Sequence, residues 1–341
     1  MTFRQQRGQS PRSDEYISRF PQHEHLIRQA LYEPSVLSSA ESADSIGQDA
    51  PALTATAESV LLDRFGDYEV VRELGRGAFG IVYEARHVRR DDRVALKTLQ
   101  FEGQPNPLRD ADRLHKFRRE FRSLSETNHR HLIGMQALEF DEERRLWFFT
   151  MELIDGCNFL EHVRPSGRLD ERRLRAALPQ FVEGVATLHA LHIVHRDLKP
   201  SNVMVDKSGR VVILDFGLVA ELQERMDETM SAHSRQIAGT MRYAAPEQLS
   251  GNRLAASDWY AMGVMMYEAM TGVAPFNAAT QADLIVQKRT LDAPSLSERQ
   301  DLPSDLTALV DQLLKREPEQ RPHQSTIVSL LSTAGESSIP D

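Results

Sequence analysis

The hydrophobic period changes once along this chain, near Gly156, and that change limits the fold more than any other feature. Before it, the apolar sets Tyr68, Val70 and Leu74, then Ile81, Val82 and Tyr83, then Val94, Ala95 and Leu96 alternate as strands do. Glycines or charged turns such as 89–93 separate them. The charged stretch 114–126 predicts one helix, and 138–140 and 146–151 predict further strands. Beyond Gly156 the spacing is helical over 170–191, 257–272, 280–290 and 303–315, interrupted by a strand island at 203–205 and 211–214. Gly272 and Pro275 close one of these helices. The expected class is therefore α+β in two lobes. A small, mostly β lobe with one helix covers about 67–152, and a larger, mostly α lobe covers about 153–334, followed by a tail at 335–341. No repeat of 20–50 residues is visible in the sequence, which sets aside solenoids and propellers.

Composition narrows the function classes. With 341 residues, 40% hydrophobic and 27% charged, the chain can bury a sizeable core. The apolar run at 261–267 is too short for a membrane span and is followed at once by Glu268. The opening MTFRQQRGQS has arginines but no apolar run behind them, so the expected compartment is the cytosol. The single cysteine, Cys157, fits a reducing compartment and removes cysteine-based zinc clusters. None of the twelve histidines falls in an H-E-x-x-H pattern. A net charge of −9 argues against nucleic acid as the main partner. Residues 1–66, rich in Ser, Ala, Asp, Glu and Gln, are expected to form a mostly flexible arm. Its one island at helical spacing is Ile17, Phe20, Leu26, Ile27, Ala30 and Leu31.

Three constellations carry chemistry. Gly75-Arg76-Gly77-Ala78-Phe79-Gly80 is a G-x-G-x-x-G string, which alone also fits dinucleotide-binding loops. Here Gly80 leads into the strand-like Ile81-Val82-Tyr83-Glu84-Ala85 and not into a helix, which favours a glycine loop folded over phosphates between antiparallel strands. Lys97 ends the strand Val94-Ala95-Leu96-Lys97. Glu120, on the helix that buries Phe117, Phe121 and Leu124, is its expected carboxylate partner, keeping the ammonium aimed at phosphates. The third and most specific is His195-Arg196-Asp197-Leu198-Lys199-Pro200-Ser201-Asn202, with Asp215-Phe216-Gly217 beginning 13 residues after Asn202. Phosphoryl transfer needs a carboxylate beside the attacking hydroxyl, for which Asp197 is the candidate. It also needs oxygen ligands for a divalent cation, for which Asn202 and Asp215 are the candidates.

With these residues in order, the chain resembles the eukaryotic-type (Hanks-type) serine/threonine protein kinases over about 67–334. Ala245-Pro246-Glu247 matches the family's closing landmark, Arg321 matches the arginine that pairs with its glutamate, and Asp258 matches the helix aspartate that supports the catalytic loop. The resemblance implies a two-lobed kinase fold with ATP and Mg²⁺ between the lobes, Mn²⁺ being the alternative ion. It implies that Lys97 contacts the α- and β-phosphates, Glu120 orients it, Asp197 is the base, and Asn202 and Asp215 bind the metal. Adenine would lie between Val82 and Ala95 above and Met204 below, with hinge hydrogen bonds from the backbone of Glu152 and Ile154 and with Met151 at the back of the pocket. Gly75, Arg76, Gly77, Ala78, Phe79 and Gly80 would cover the phosphates. Lys199, set to steady the transferring phosphate, and Thr240 in Gly239-Thr240-Met241 favour serine and threonine over tyrosine as acceptors.

Arg196 could pair with a phosphate on the activation segment, where Ser234 is the favoured site and Ser231 and Thr229 are alternatives. Asn128-His129-Arg130-His131-Leu132 departs from the His-Pro-Asn turn of many relatives, and Ala244 precedes Ala245-Pro246-Glu247; neither touches the phosphates. The island at 11–21 resembles segments ahead of the kinase domain in planctomycete-type bacterial kinases. Two rivals stand beside the enzyme reading. A nucleotide-responsive binding module is disfavoured because the lysine, base and metal positions are all filled, and a small-molecule kinase because the activation segment from Asp215 to Glu247 is complete. The expected partners are ATP and proteins with Ser or Thr acceptors. Homodimerisation through the β lobe, as in some bacterial relatives, stays open.

Overall fold

The computed structural model describes residues 64–77, 80–99, 118, 121, 122, 125–215, 241–252 and 254–336. Six strands form the first sheet: β1 Arg64–Phe65, β2 Tyr68–Gly77, β3 Gly80–His87, β4 Arg93–Leu99, β5 Met135–Asp141 and β6 Leu146–Glu152. Their order is β1-β2-β3-β4-β6-β5, and every neighbouring pair is antiparallel. Arg118, Phe121, Arg122 and Ser125 are helical, within the stretch expected to be a helix.

Register divides the sheet into two faces. Val82 stands opposite Lys97 and Lys97 opposite Phe149, while Ala95 stands opposite Met151. Directly opposed residues of an antiparallel ladder share a face. Val82, Ala95, Lys97, Phe149 and Met151 thus lie together on one face, whose apolar members join the main core. The other face carries Ala85, Val94, Leu96 and Phe148, covered by Phe65 and Tyr68. Phe65, 3% exposed, packs 5.7 Å from the Phe148 ring, so the sheet begins ahead of the expected boundary at 67.

The second sheet, β7 Gly156–Asn158, β8 Val203–Asp206 and β9 Val211–Ile213, runs in that order. Around it lie α1 Phe159–Val163, α2 Glu171–Ala190, α3 Ala255–Thr271, α4 Gln281–Thr290, α5 Ser304–Leu313 and α6 Gln324–Glu336. Asp170 caps α2 by accepting from Arg173 N at 3.0 Å, and Leu174, Leu178, Phe181, Val185 and Leu188 form its buried stripe. α3 is buried almost all round, from Ser257 to Met270, and ends on Gly272 at φ +82°. A Cβ on Gly263 would come 2.8 Å from Leu313 Cβ, so this glycine lets α5 pack closely against α3. α1 and α6 lie outside the helices expected from periodicity. α1 is held by a capping box between Asn158 and Glu161, and α6 is rich in Ser and Thr, which blurs the apolar spacing. Among the described residues no helix is long and apolar enough to cross a membrane.

Candidate active site

The glycine-rich turn joins β2 to β3, where Gly77 pairs with Gly80. Gly80 adopts φ +138°, and a Cβ there would fall 1.8 Å from the Thr98 carbonyl oxygen, so only glycine fits. Thr98 ties the next residue down, its hydroxyl accepting from Ile81 N at 3.0 Å. Gly75 and Gly77 differ: a Cβ on either would meet no atom of the described residues within 4 Å. Arg76 turns its guanidinium to Glu73 at 2.8 Å. Ala78 and Phe79 lie outside the described residues.

Lys97, 5% exposed on β4, donates from Nζ to Asp215 Oδ2 at 2.6 Å. Glu120, its expected partner, lies outside the described residues; among the described residues the carboxylate on Lys97 is that of Asp215, which is also a candidate metal ligand. Burial pushes the Asp215 carboxyl up, but the charge and hydrogen bond of Lys97 outweigh it, and the net shift is downward. The Asp215 backbone is at φ +54° and that of Arg196 at φ +72°. Both are uncommon for residues with a side chain, and strain of this kind concentrates at functional sites.

Asp197 sits between two donors. Its Oδ2 accepts from Lys199 Nζ at 2.7 Å and from Asn202 Nδ2 at 3.1 Å, and Asn202 Nδ2 also donates to the Asp197 carbonyl at 2.8 Å. The other oxygen, Oδ1, is buried and has no hydrogen-bond partner among the described residues. A buried carboxylate oxygen left bare is costly unless something else comes to meet it.

The loop carrying Asp197 hangs from α3. Asp258, 1% exposed, accepts from His195 N at 2.8 Å, Arg196 N at 3.0 Å and His189 Nε2 at 2.8 Å. His195 reaches the other way, donating from Nε2 to Leu214 O at 2.8 Å, next to Asp215. The backbone adds Leu214 N to Asn202 O at 2.8 Å. The sequence does not mark His189 as a site residue; the one signal it offers is a place in the last turn of α2, six residues before His195.

Glu247 and Arg321 meet as expected, in a two-pronged pair at 2.6 and 2.8 Å with Ser257 Oγ donating to Glu247 at 2.6 Å. The apolar pocket residues divide by exposure: Ala95 and Met151 are buried, while Val82 and Met204 are partly exposed. Glu152 N already donates to Gly134 O at 2.8 Å, so at the hinge this residue can offer only its carbonyl. Its side chain is held by Arg210, from the turn between β8 and β9. Thr229, Ser231, Ser234 and Thr240 lie outside the described residues.

Asn202 and Asp215 supply an amide and a carboxylate, hard oxygen donors suited to Mg²⁺ or Mn²⁺. No group of three or more His, Cys, Asp or Glu that could hold a metal occurs among the described residues. An ion there would need further oxygens from a ligand such as a nucleotide phosphate.

A β lobe with a glycine turn over a buried lysine, and a helical lobe with a carboxylate loop hung from a buried aspartate, define a phosphotransferase architecture. The profile of the protein kinase domain matches residues 68–331, and the chain belongs to that family. It is 30% identical over 231 residues to the serine/threonine-protein kinase PrkC of Bacillus subtilis, covering 67% of this chain and 34% of that protein. It is 31% identical over 260 residues to the serine/threonine-protein kinase PknA of Mycobacterium tuberculosis, covering 75% of this chain and 58% of the relative. A probable serine/threonine-protein kinase, pknA2, of Bifidobacterium longum matches at 30% over 259 residues, covering 75% of this chain and 33% of its own length. The matches thus span from about a third to under three fifths of these relatives.

Proposed function

We propose that the chain is an ATP-dependent kinase that transfers the γ-phosphoryl group of MgATP to serine and threonine hydroxyls of polypeptides, its own included. The observation that carries this reading is the Asp197 carboxylate, one oxygen fixed by Lys199 and Asn202 and the other buried without a partner among the described residues. An acceptor hydroxyl brought against Oδ1, which no donor among the described residues occupies, would hydrogen-bond there and leave its proton, an effect worth about 10²–10⁴ in rate. Lys199, 2.7 Å from Asp197, would offset charge on the group in transit. Lys97, already held by Asp215, would meet the α- and β-phosphates, with Glu120 steadying it.

Asn202 and Asp215 would hold the divalent ion, which when bound neutralises phosphate charge and keeps the nucleotide in one pose. The space above Gly75 and Gly77, which no atom of the described residues fills, suits close approach of phosphates to the backbone. Val82, Ala95, Met151 and Met204 would enclose the adenine, and Glu152 and Ile154 would read its edge. Residues from Arg64 to about 334 would be the catalytic unit, since β1 is already part of its sheet. The single cysteine and the need for ATP fit work in the cytosol.

The test is to incubate the purified chain with γ-labelled MgATP and a generic basic protein and to identify the labelled amino acid. Label on Ser or Thr, absent in Lys97→Met, is the expected result. Label confined to tyrosine, or to a small-molecule alcohol with none on protein, would refute the proposal.

A further inference from the structure

Lys288 is buried where helix composition gives no reason for it to be. It lies on α4, in the polar run Gln287-Lys288-Arg289-Thr290, yet is only 1% exposed. Its Nζ donates to the carbonyls of Arg242 at 2.7 Å and Ala244 at 2.6 Å, and stands 5.3 Å from the centre of the Tyr260 ring on α3. Burying an ammonium costs several kcal/mol unless its protons are met. Burial, the largest influence, pushes the amine down to about 7, with the charge of Glu247 opposing it. A leucine or methionine would fill this position without that cost. What Lys288 supplies and they cannot is a pair of donors for two carbonyls of one short segment.

That segment borders the base. Tyr243 and Ala244 on one segment, and Arg196, Asp197 and Leu198 on the other, border one tight recess together with the buried Asp258 and Ala261 of α3. Gln248 joins the two sides, accepting from Ala245 N at 2.8 Å and donating to Arg196 O at 3.0 Å. Tyr243 is fixed in turn through its hydroxyl to Glu268 at 2.6 Å. A shift of this segment would therefore be felt at the loop that carries Asp197, on the side where an acceptor hydroxyl would have to arrive. The nucleotide side of the site, Lys97 and Asp215, shares none of these contacts.

We infer that Lys288 is a positioning residue for the polypeptide acceptor: by holding the Arg242 and Ala244 carbonyls it fixes the edge on which the acceptor lies, without acting on the nucleotide. The inference rests on the proposed transfer to polypeptides. The test compares wild type with Lys288→Met, which keeps the stem and loses the donors, in steady-state transfer from MgATP to a peptide acceptor. Acceptor-independent ATP hydrolysis is measured on the same samples. The expected result is an acceptor KM raised at least about tenfold, equivalent to about 1.4 kcal/mol, with the KM for ATP and the hydrolysis rate unchanged. A purely structural role would shift the acceptor and nucleotide parameters together, and that outcome, like an unchanged acceptor KM, would overturn the inference. If Lys288→Met does not fold, the same ratio is read on Lys288→Gln, whose shorter amide fills the site but cannot span both carbonyls. A wild-type chain that labels no peptide refutes the transfer reading itself, whereas a wild type that labels peptide beside an unaltered variant refutes only the role of Lys288.

Discussion

Replacing Arg321 by methionine should be among the most damaging single changes outside the loop that carries Asp197. Arg321 is 1% exposed at its side chain, Glu247 9%. An arginine has five N–H donors, and here all five are used. Nε donates to Lys315 O at 2.8 Å. Nη1 reaches Glu247 Oε1 at 2.6 Å and Ala256 O at 2.9 Å, and Nη2 reaches Glu247 Oε2 at 2.8 Å and Arg316 O at 2.9 Å. The guanidinium also lies 4.9 Å from the centre of the Tyr260 ring. Methionine fills much of the volume but leaves a buried carboxylate with Ser257 and three carbonyls without this donor. Breaking one side of a buried pair costs about 3–5 kcal/mol, which corresponds to a fall in Tm of roughly 6–20 °C for a domain of this size.

Removing both charges, with Glu247→Leu beside Arg321→Met, should recover about 1–4 kcal/mol over Arg321→Met alone, because no buried charge is then stranded. Urea unfolding with its slope checked for constancy reads both quantities. A loss below about 1 kcal/mol in the single variant, or a double variant as unstable as the two singles added, would refute the reasoning.

The same pair sets a pH dependence. Burial raises the Glu247 carboxyl, but hydrogen bonds from Arg321 and Ser257 and the guanidinium charge hold it below its ordinary value of 4.5. With the folded value depressed, the stability it contributes is present above 4.5 and is lost as pH falls through the folded value. The stability gap between wild type and Glu247→Gln should therefore be constant near neutrality and close only in acid; a gap that closes with rising pH would contradict this. Gly80→Ala should lower Tm, since its methyl meets the Thr98 carbonyl, at a cost of about 1–3 kcal/mol in backbone strain alone. Gly75→Ala and Gly77→Ala should leave Tm unchanged and weaken nucleotide binding, so equal thermal shifts across the three glycines would count against the distinction. Asp258→Asn can no longer accept from all three of its donors, and one buried N–H left unpaired costs about 1–3 kcal/mol. Transfer rate should fall while nucleotide affinity, measured by titration, holds.

Much of this was legible in the sequence because the governing constraints are local. Alternation gave the strands of the first sheet, since side chains in a strand must divide between two faces, and the spacing of Leu174, Leu178, Phe181 and Val185 gave α2. The Asp197, Lys199 and Asn202 cluster was readable because one turn of chain brings it together. The contact of Lys97 with Asp215 was not, because 118 residues separate them and local pattern says nothing about which carboxylate a lysine meets. Phe65 reads as part of the arm because a single buried ring beside the Gly66-Asp67 turn is lost in the average of a polar stretch. Lys288 reads as a solvated helix residue, and only the packing of α4 against the segment before Ala245-Pro246-Glu247 turns it inward.

The most direct test of the central claim is Asp197→Asn, followed by transfer of labelled phosphate from MgATP to a serine- or threonine-containing peptide, with nucleotide affinity measured in parallel. Asparagine can keep the contact with Lys199 but cannot take a proton at the bare position. The account predicts a loss of transfer of at least about a hundredfold with nucleotide binding intact. Transfer at the wild-type rate would contradict the role given to Asp197 and, with it, the reading of this site.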